Sequence, residues 1–176
     1  MTAACPDCGF DGSSVSPADA AVALRSFPRR YRAILIRPQE EDAHKDPARR
    51  AGAAGWSALD HAAWAAAAID TIASQVRQVL IHDAPDLGAA VPPIEPPSPP
   101  RTEDSPDDVI GQISAATDTL AGVIEGAAGG DDWTRTAGGA GGHQLTSLDL
   151  VRLAVHQGVH HLRAADKVLQ EVVGRP

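Results

Sequence analysis

Apolar residues recur at three- and four-residue spacing along four stretches of this chain, and that spacing predicts helices. The first runs from about 17 to 36, with Leu24, Phe27, Tyr31, Ile34 and Leu35 on one side and a proline, Pro28, inside it. The second runs from about 57 to 82 and carries Leu59, Ala62, Ala66, Ile69, Ile72, Val76 and Val79. The third, about 106 to 127, carries Val109, Ile113, Ala116, Leu120 and Val123; the fourth spans about 147 to 173. Each opens with a hydroxyl residue followed three positions later by an acid: Ser16 and Asp19, Ser57 and Asp60, Ser105 and Asp108, Thr146 and Asp149. That pattern is a helix N-cap with a reciprocal acidic partner. Pro17 and Pro106 stand at the first helical position, where a missing N–H is harmless. No period-two alternation competes, so the fold class is all-α, a four-helix bundle.

The connections are unequal. Residues 37–55 are polar, 89–104 are Pro-rich and extended, and 126–143 are Gly-rich with Trp133 and Arg135 as an expected anchor. Long crossovers of this kind belong to bundles that are not simple up-and-down hairpins. The expected organisation is a Cys-containing tail, 1–15, packed on the fourth helix, and a bundle over 16–176.

A wheel at 100° per residue divides the fourth helix. Leu148, Val151, Val155, Val159, Leu162 and Leu169 form one apolar stripe, and Leu150, Ala154, Ala165, Val168 and Val172 a second beside it. His156 and His160, four apart, fall on the polar arc with Arg152, Arg163 and Lys167. His161 and Gln157 fall inside the second apolar stripe. The run "AVHQGVHHL" therefore serves two faces.

Composition then narrows the chemistry. The 176 residues suit one domain, and with only 3% aromatic residues the core must be aliphatic. A net charge of −8 speaks against a nucleic-acid binder. The sequence has no apolar run long enough to span a bilayer and no leader pattern at "MTAACPDCGF", so the expectation is a cytoplasmic protein off the membrane. The two cysteines, Cys5 and Cys8, are spaced C-x-x-C. Joined to His156-x-x-x-His160 they make the two-Cys, two-His donor set of structural zinc, with the tail folded over the fourth helix. The alternatives are a redox pair, which lacks the βαβ context of thioredoxin-like motifs, and a frayed tail with free thiols. "RRYR" at 29–32 reads as a solvated face, and His44, His82 and His143 have no evident partners.

"WSALDHAAWAAA", "DDWTRTA" and "LTSLDLVRLAVHQGVHHL", in that order across 16–173, resemble the DinB-like four-helix superfamily, which includes mycothiol-dependent maleylpyruvate isomerases and thiol S-transferases. The resemblance implies a divalent metal inside the bundle held by three ligands. The corresponding positions here are Trp64, Gln157 and His161, of which only His161 keeps a family ligand; His61 is the candidate substitute. The alternative to a metal at His161 is a core histidine bonded to Gln157. Three functions follow. One is a binding or regulatory module with structural zinc and a degenerate active site. Another, by resemblance, is a metal-dependent mycothiol S-transferase acting through His61, Gln157 and His161 on a small-molecule thiol. The third is a zinc or redox sensor working through the C-x-x-C. The Ala-rich second helix could also support a close homodimer.

Overall fold

A computed structural model describes residues 4–36, 46–48, 55–88, 91–94, 101–127, 129–139 and 143–173. Four helices dominate: α1 (Pro17–Leu35), α2 (Ala58–Ile81), α3 (Pro106–Gly126) and α4 (Ser147–Val173). All four start where the sequence pattern places them. Ser16, Ser57 and Ser105 each accept from the amide three residues on, while Asp19, Asp60 and Asp108 return the bond to the cap amide. Thr146 and Asp149 do the same for α4, at 3.0 Å in both directions. Each such cap is worth about 1 kcal/mol.

Around the bundle, α1 neighbours α3 and α4, and α2 neighbours the same two, so α1 and α2 lie diagonally opposed. The first two helices thus cannot form a hairpin, which is why a long connection separates them. The core is aliphatic, with Leu24, Leu35, Ile69, Ile72, Val76, Ile113, Leu120 and Leu150 fully buried. Two large aromatics, Phe27 and Tyr31, fill the α1 side. They meet α4 where it carries Gly158. A Cβ at Gly158 would stand 2.2 Å from the Phe27 ring, and the Tyr31 hydroxyl donates to the Gly158 carbonyl at 3.0 Å.

Among the described residues three short strands accompany the four helices. β1 (Asp86–Gly88), β2 (Thr136–Gly139) and β3 (Gln144–Thr146) form a small sheet in the order β1-β2-β3, parallel then antiparallel. Segments of three or four residues, rich in Gly, are too short to carry a period-two signal. A 3-10 turn over Gly130–Thr134 leads into the sheet. Arg135 then closes the end of α2, donating to the carbonyls of Val79 at 2.8 Å and His82 at 3.1 Å and to Asp83 at 3.2 Å. Arg135 therefore caps a helix C-terminus, where four carbonyls lack helical partners. His82 takes part through its backbone, as does His143, whose carbonyl accepts from Gly139 at 2.7 Å. His44 lies outside the described residues. None of the described helices is long and apolar enough to cross a membrane.

Candidate metal centre and the bundle interior

The tail lies along α4. Arg152 reaches from the helix to the carbonyls of Val15 at 3.0 Å and Ser13 at 2.9 Å, and Arg163 donates to the carbonyl of Cys8. Between these two arginines the tail makes a tight turn: the Gly9 amide donates to the Cys5 carbonyl at 2.7 Å and the Cys5 amide to the Phe10 carbonyl at 2.9 Å. Gly9 closes the turn at φ +63°, a conformation that glycine adopts without strain. The glycine directly after Cys8 is the sequence signal for this turn.

The turn aims both sulfurs at α4. The donor atoms of Cys5, Cys8, His156 and His160 all lie within 4.8 Å of one another, the one such group of three or more among the described residues. Cys5 Sγ is 3.8 Å from His160 Nδ1. With metal–sulfur bonds of about 2.3 Å and metal–nitrogen bonds of about 2.0–2.1 Å, adjacent ligands of a tetrahedral zinc stand about 3.3–3.8 Å apart. Small side-chain rotations would close the group onto one ion.

Three observations indicate that the cluster suits a cation. Both ring nitrogens of His156 are buried without a hydrogen-bond partner, which in a finished site costs about 1–3 kcal/mol. Burial, and then the neighbouring His160, hold the His156 imidazole below the usual histidine range, so it stays neutral and keeps a lone pair. Burial pushes the Cys8 thiol up, while the Phe10 amide bonded to it acts the other way; the nearby Cys5 raises it further. A divalent charge beside the Cys8 sulfur would favour its ionised form. The polar arc of α4 is therefore solvated only in part: Arg163 and Lys167 are exposed, whereas His156 and His160 are 6% and 4% exposed, under the tail, with Phe10 stacked on His156 at 5.2 Å.

On the adjoining face of α4, His161 is fully buried, its ring edge-on to His160 at 5.1 Å. Its expected bond to Gln157 is absent. Instead the Gln157 amide donates to the carbonyls of Pro92 at 3.2 Å and Pro93 at 2.9 Å, and His161 Nε2 meets the Ile94 carbonyl at 2.8 Å. The described part of the Pro-rich crossover lies against this face, and its prolines, unable to donate, offer carbonyls alone. Its far end is tied by Asp60, whose Oδ1 accepts from the Thr102 amide at 3.1 Å.

His61 comes to His161, with Nδ1 to Nδ1 at 3.0 Å. Because a carbonyl only accepts, His161 Nε2 carries the proton, and a neutral His161 then presents a lone pair at Nδ1. His61 Nδ1 is accordingly the donor. Burial, followed by the neighbouring imidazoles, lowers His61 to about 4 and His161 to about 3, so both are neutral near pH 7. Trp56 stacks on both rings, at 4.6 Å from His61 and 5.6 Å from His161, and meets Trp64 edge-on. Trp64 thus packs at the rim of this site, and its buried Nε1 is unpartnered, as is the Gln157 Oε1. The roles of Trp56, Phe10, Arg152, Arg163 and the crossover carbonyls escaped the sequence reading. Apart from Gly9, no local pattern announces them, because all are partners across long sequence distances.

No family model and no curated protein sequence matches the chain. Among solved structures it is similar to YfiT from Bacillus subtilis, described as a probable metal-dependent hydrolase with an unusual four-helix bundle topology. The likeness has a TM-score of 0.65, covers 93% of each chain and comes with 15% sequence identity. At that identity it is a likeness of fold, and the fold is the four-helix bundle.

Proposed function

We propose that this chain is a zinc-binding four-helix protein in which Cys5, Cys8, His156 and His160 hold a structural zinc, and that it acts as a binding or regulatory module. The observation that carries this reading is the convergence of four donor atoms within 4.8 Å, from a turn that buries Cys8 and from one face of a helix far along the chain. Four protein ligands leave no open position for water or substrate, which makes the site structural rather than catalytic. Its effect is to fix residues 1–15 as an arm on the bundle of 16–176, offsetting the entropy of ordering a short polar segment. The interior site supports the degenerate half of the reading. Trp64 has no lone pair to give a metal, and His61 and His161 satisfy one another without one.

One observation favours a second reading, a metal-dependent thiol S-transferase using mycothiol. Gln157 Oε1 is buried and unpartnered one helical turn before His161, and a cation held by His61, Gln157 and His161 would satisfy it. Such a metal would lower the pKa of a bound thiol. The chain's own part is already built: Ile94 fixes the His161 tautomer, and Pro92 and Pro93 turn the Gln157 oxygen away from themselves.

Metal content separates the two. The first reading expects one zinc per chain, lost in Cys5→Ser and His156→Ala and retained in His161→Ala. Metal that survives Cys5→Ser and disappears with His161→Ala would overturn it in favour of the transferase.

A further inference from the structure

Beside the Cys/His cluster lies a surface pocket of about 240 Å³, lined by Asp7, Cys8, His160, Arg163, Ala164 and Lys167. It touches two of the four donor residues and none of the interior site. We propose that Cys5 and Cys8 are a site of reversible oxidation, with small hydroperoxides entering this pocket to be attacked by Cys8, so that the zinc is released. The inference rests on the zinc reading above.

Hydrogen peroxide is small and neutral, so it fits the volume and is turned away by neither sign of charge on the wall. Arg163, which donates to the Cys8 carbonyl, places a guanidinium in the wall of the pocket beside Cys8. Lys167, 78% exposed and only loosely paired with Glu171 at 4.0 Å, adds a second cation. Both cations favour the negative charge that appears on the departing oxygen.

The steps balance. The Cys8 thiolate attacks one peroxide oxygen; an S–O bond forms, the O–O bond breaks, and the departing hydroxide takes a proton to become water. Cys8 is oxidised by two electrons to sulfenic acid and the peroxide is reduced by two. The Cys5 thiolate then attacks the Cys8 sulfur; an S–S bond forms, the S–O bond breaks, and hydroxide again leaves as water after taking a proton. Two thiolates, one peroxide and two protons become one disulfide and two waters. The zinc, left with two imidazoles, goes to solvent. The C-x-x-C turn suits the closing step, since both sulfurs already lie within 4.8 Å. A thiol reductant and zinc reverse the sequence.

The test uses the full chain loaded with zinc and treated with hydrogen peroxide, with a chromogenic chelator reporting metal. The expected result is one zinc released and two thiols lost per peroxide consumed, with a Cys5–Cys8 disulfide in the mass map. Dimedone added early should label Cys8. Lys167→Ala, at an exposed position, should load zinc normally and release it about fivefold more slowly, the effect of removing one nearby charge. Zinc retained while peroxide is consumed elsewhere, dimedone on Cys5, or an unchanged rate in Lys167→Ala would overturn the proposal and leave the structural zinc standing. A chain that takes up no zinc at the outset would overturn both.

Discussion

Two adjacent residues on α4, His160 and His161, serve neighbouring faces of one helix, their rings meeting edge-on at 5.1 Å. Their separation follows from the 100° step alone, and so it was readable in the sequence. What each ring meets was not. His161 finds Ile94, Trp56 and His61, all brought by other elements. Its pairing with His61 has a measurable consequence. In the unfolded chain both imidazoles titrate near the ordinary value of about 6.5, whereas in the folded chain they sit at about 4 and about 3. Between these limits the unfolded state binds more protons, so stability falls as pH drops from 6.5 toward 3 and is fully present above 6.5. Urea midpoints of the metal-free chain at pH 7 and pH 4.5 should therefore differ more for the native sequence than for His61→Phe/His161→Leu. Equal differences in the two chains would remove the neutral pair from the account.

The element scale is where the sequence spoke most clearly. Hydroxyl–acid pairs three apart set the starts of α1 to α4 because a cap is a local bargain between neighbouring residues, complete within one turn. The sheet was invisible for the opposite reason: β1 and β2 are separated by about 50 residues and share only a few bonds. The closeness of α1 to α4 was also hidden, although its cause is one residue. Gly158 lets the Phe27 ring lie against the α4 backbone. Gly158→Ala should raise helix propensity yet lower stability by about 1–3 kcal/mol, because the overlap falls on a fully buried ring that cannot move aside. Chemical unfolding decides the sign. A neutral or stabilising change would mean that the two helices part readily at this point. Phe27→Leu should restore much of the loss.

At the scale of the whole molecule, the bundle and the arm are held by different forces, and this distinguishes them experimentally. The bundle rests on an aliphatic core shared by four helices, to which residues 4–15 add only Cys8, Phe10 and Val15. The arm rests on the Cys/His cluster, two arginines and one aromatic stack. Removing zinc from the loaded chain with a strong chelator should leave helical circular dichroism almost unchanged at 25 °C. The melting temperature should fall by about 5–10 °C, the loss expected for a ligand present at roughly a hundred times its dissociation constant in a domain of this size. Residues 1–15 contain no Lys or Arg, so trypsin cannot report on the arm, but Phe10 is a chymotrypsin site. While Phe10 is stacked on His156 the bond after it is protected; once the arm is free, cleavage there should precede any cut within the helices. Cleavage after Phe10 at equal rates with and without zinc would show that the arginines and the stack hold the arm without the metal. The cluster would then have to be explained by something other than stapling.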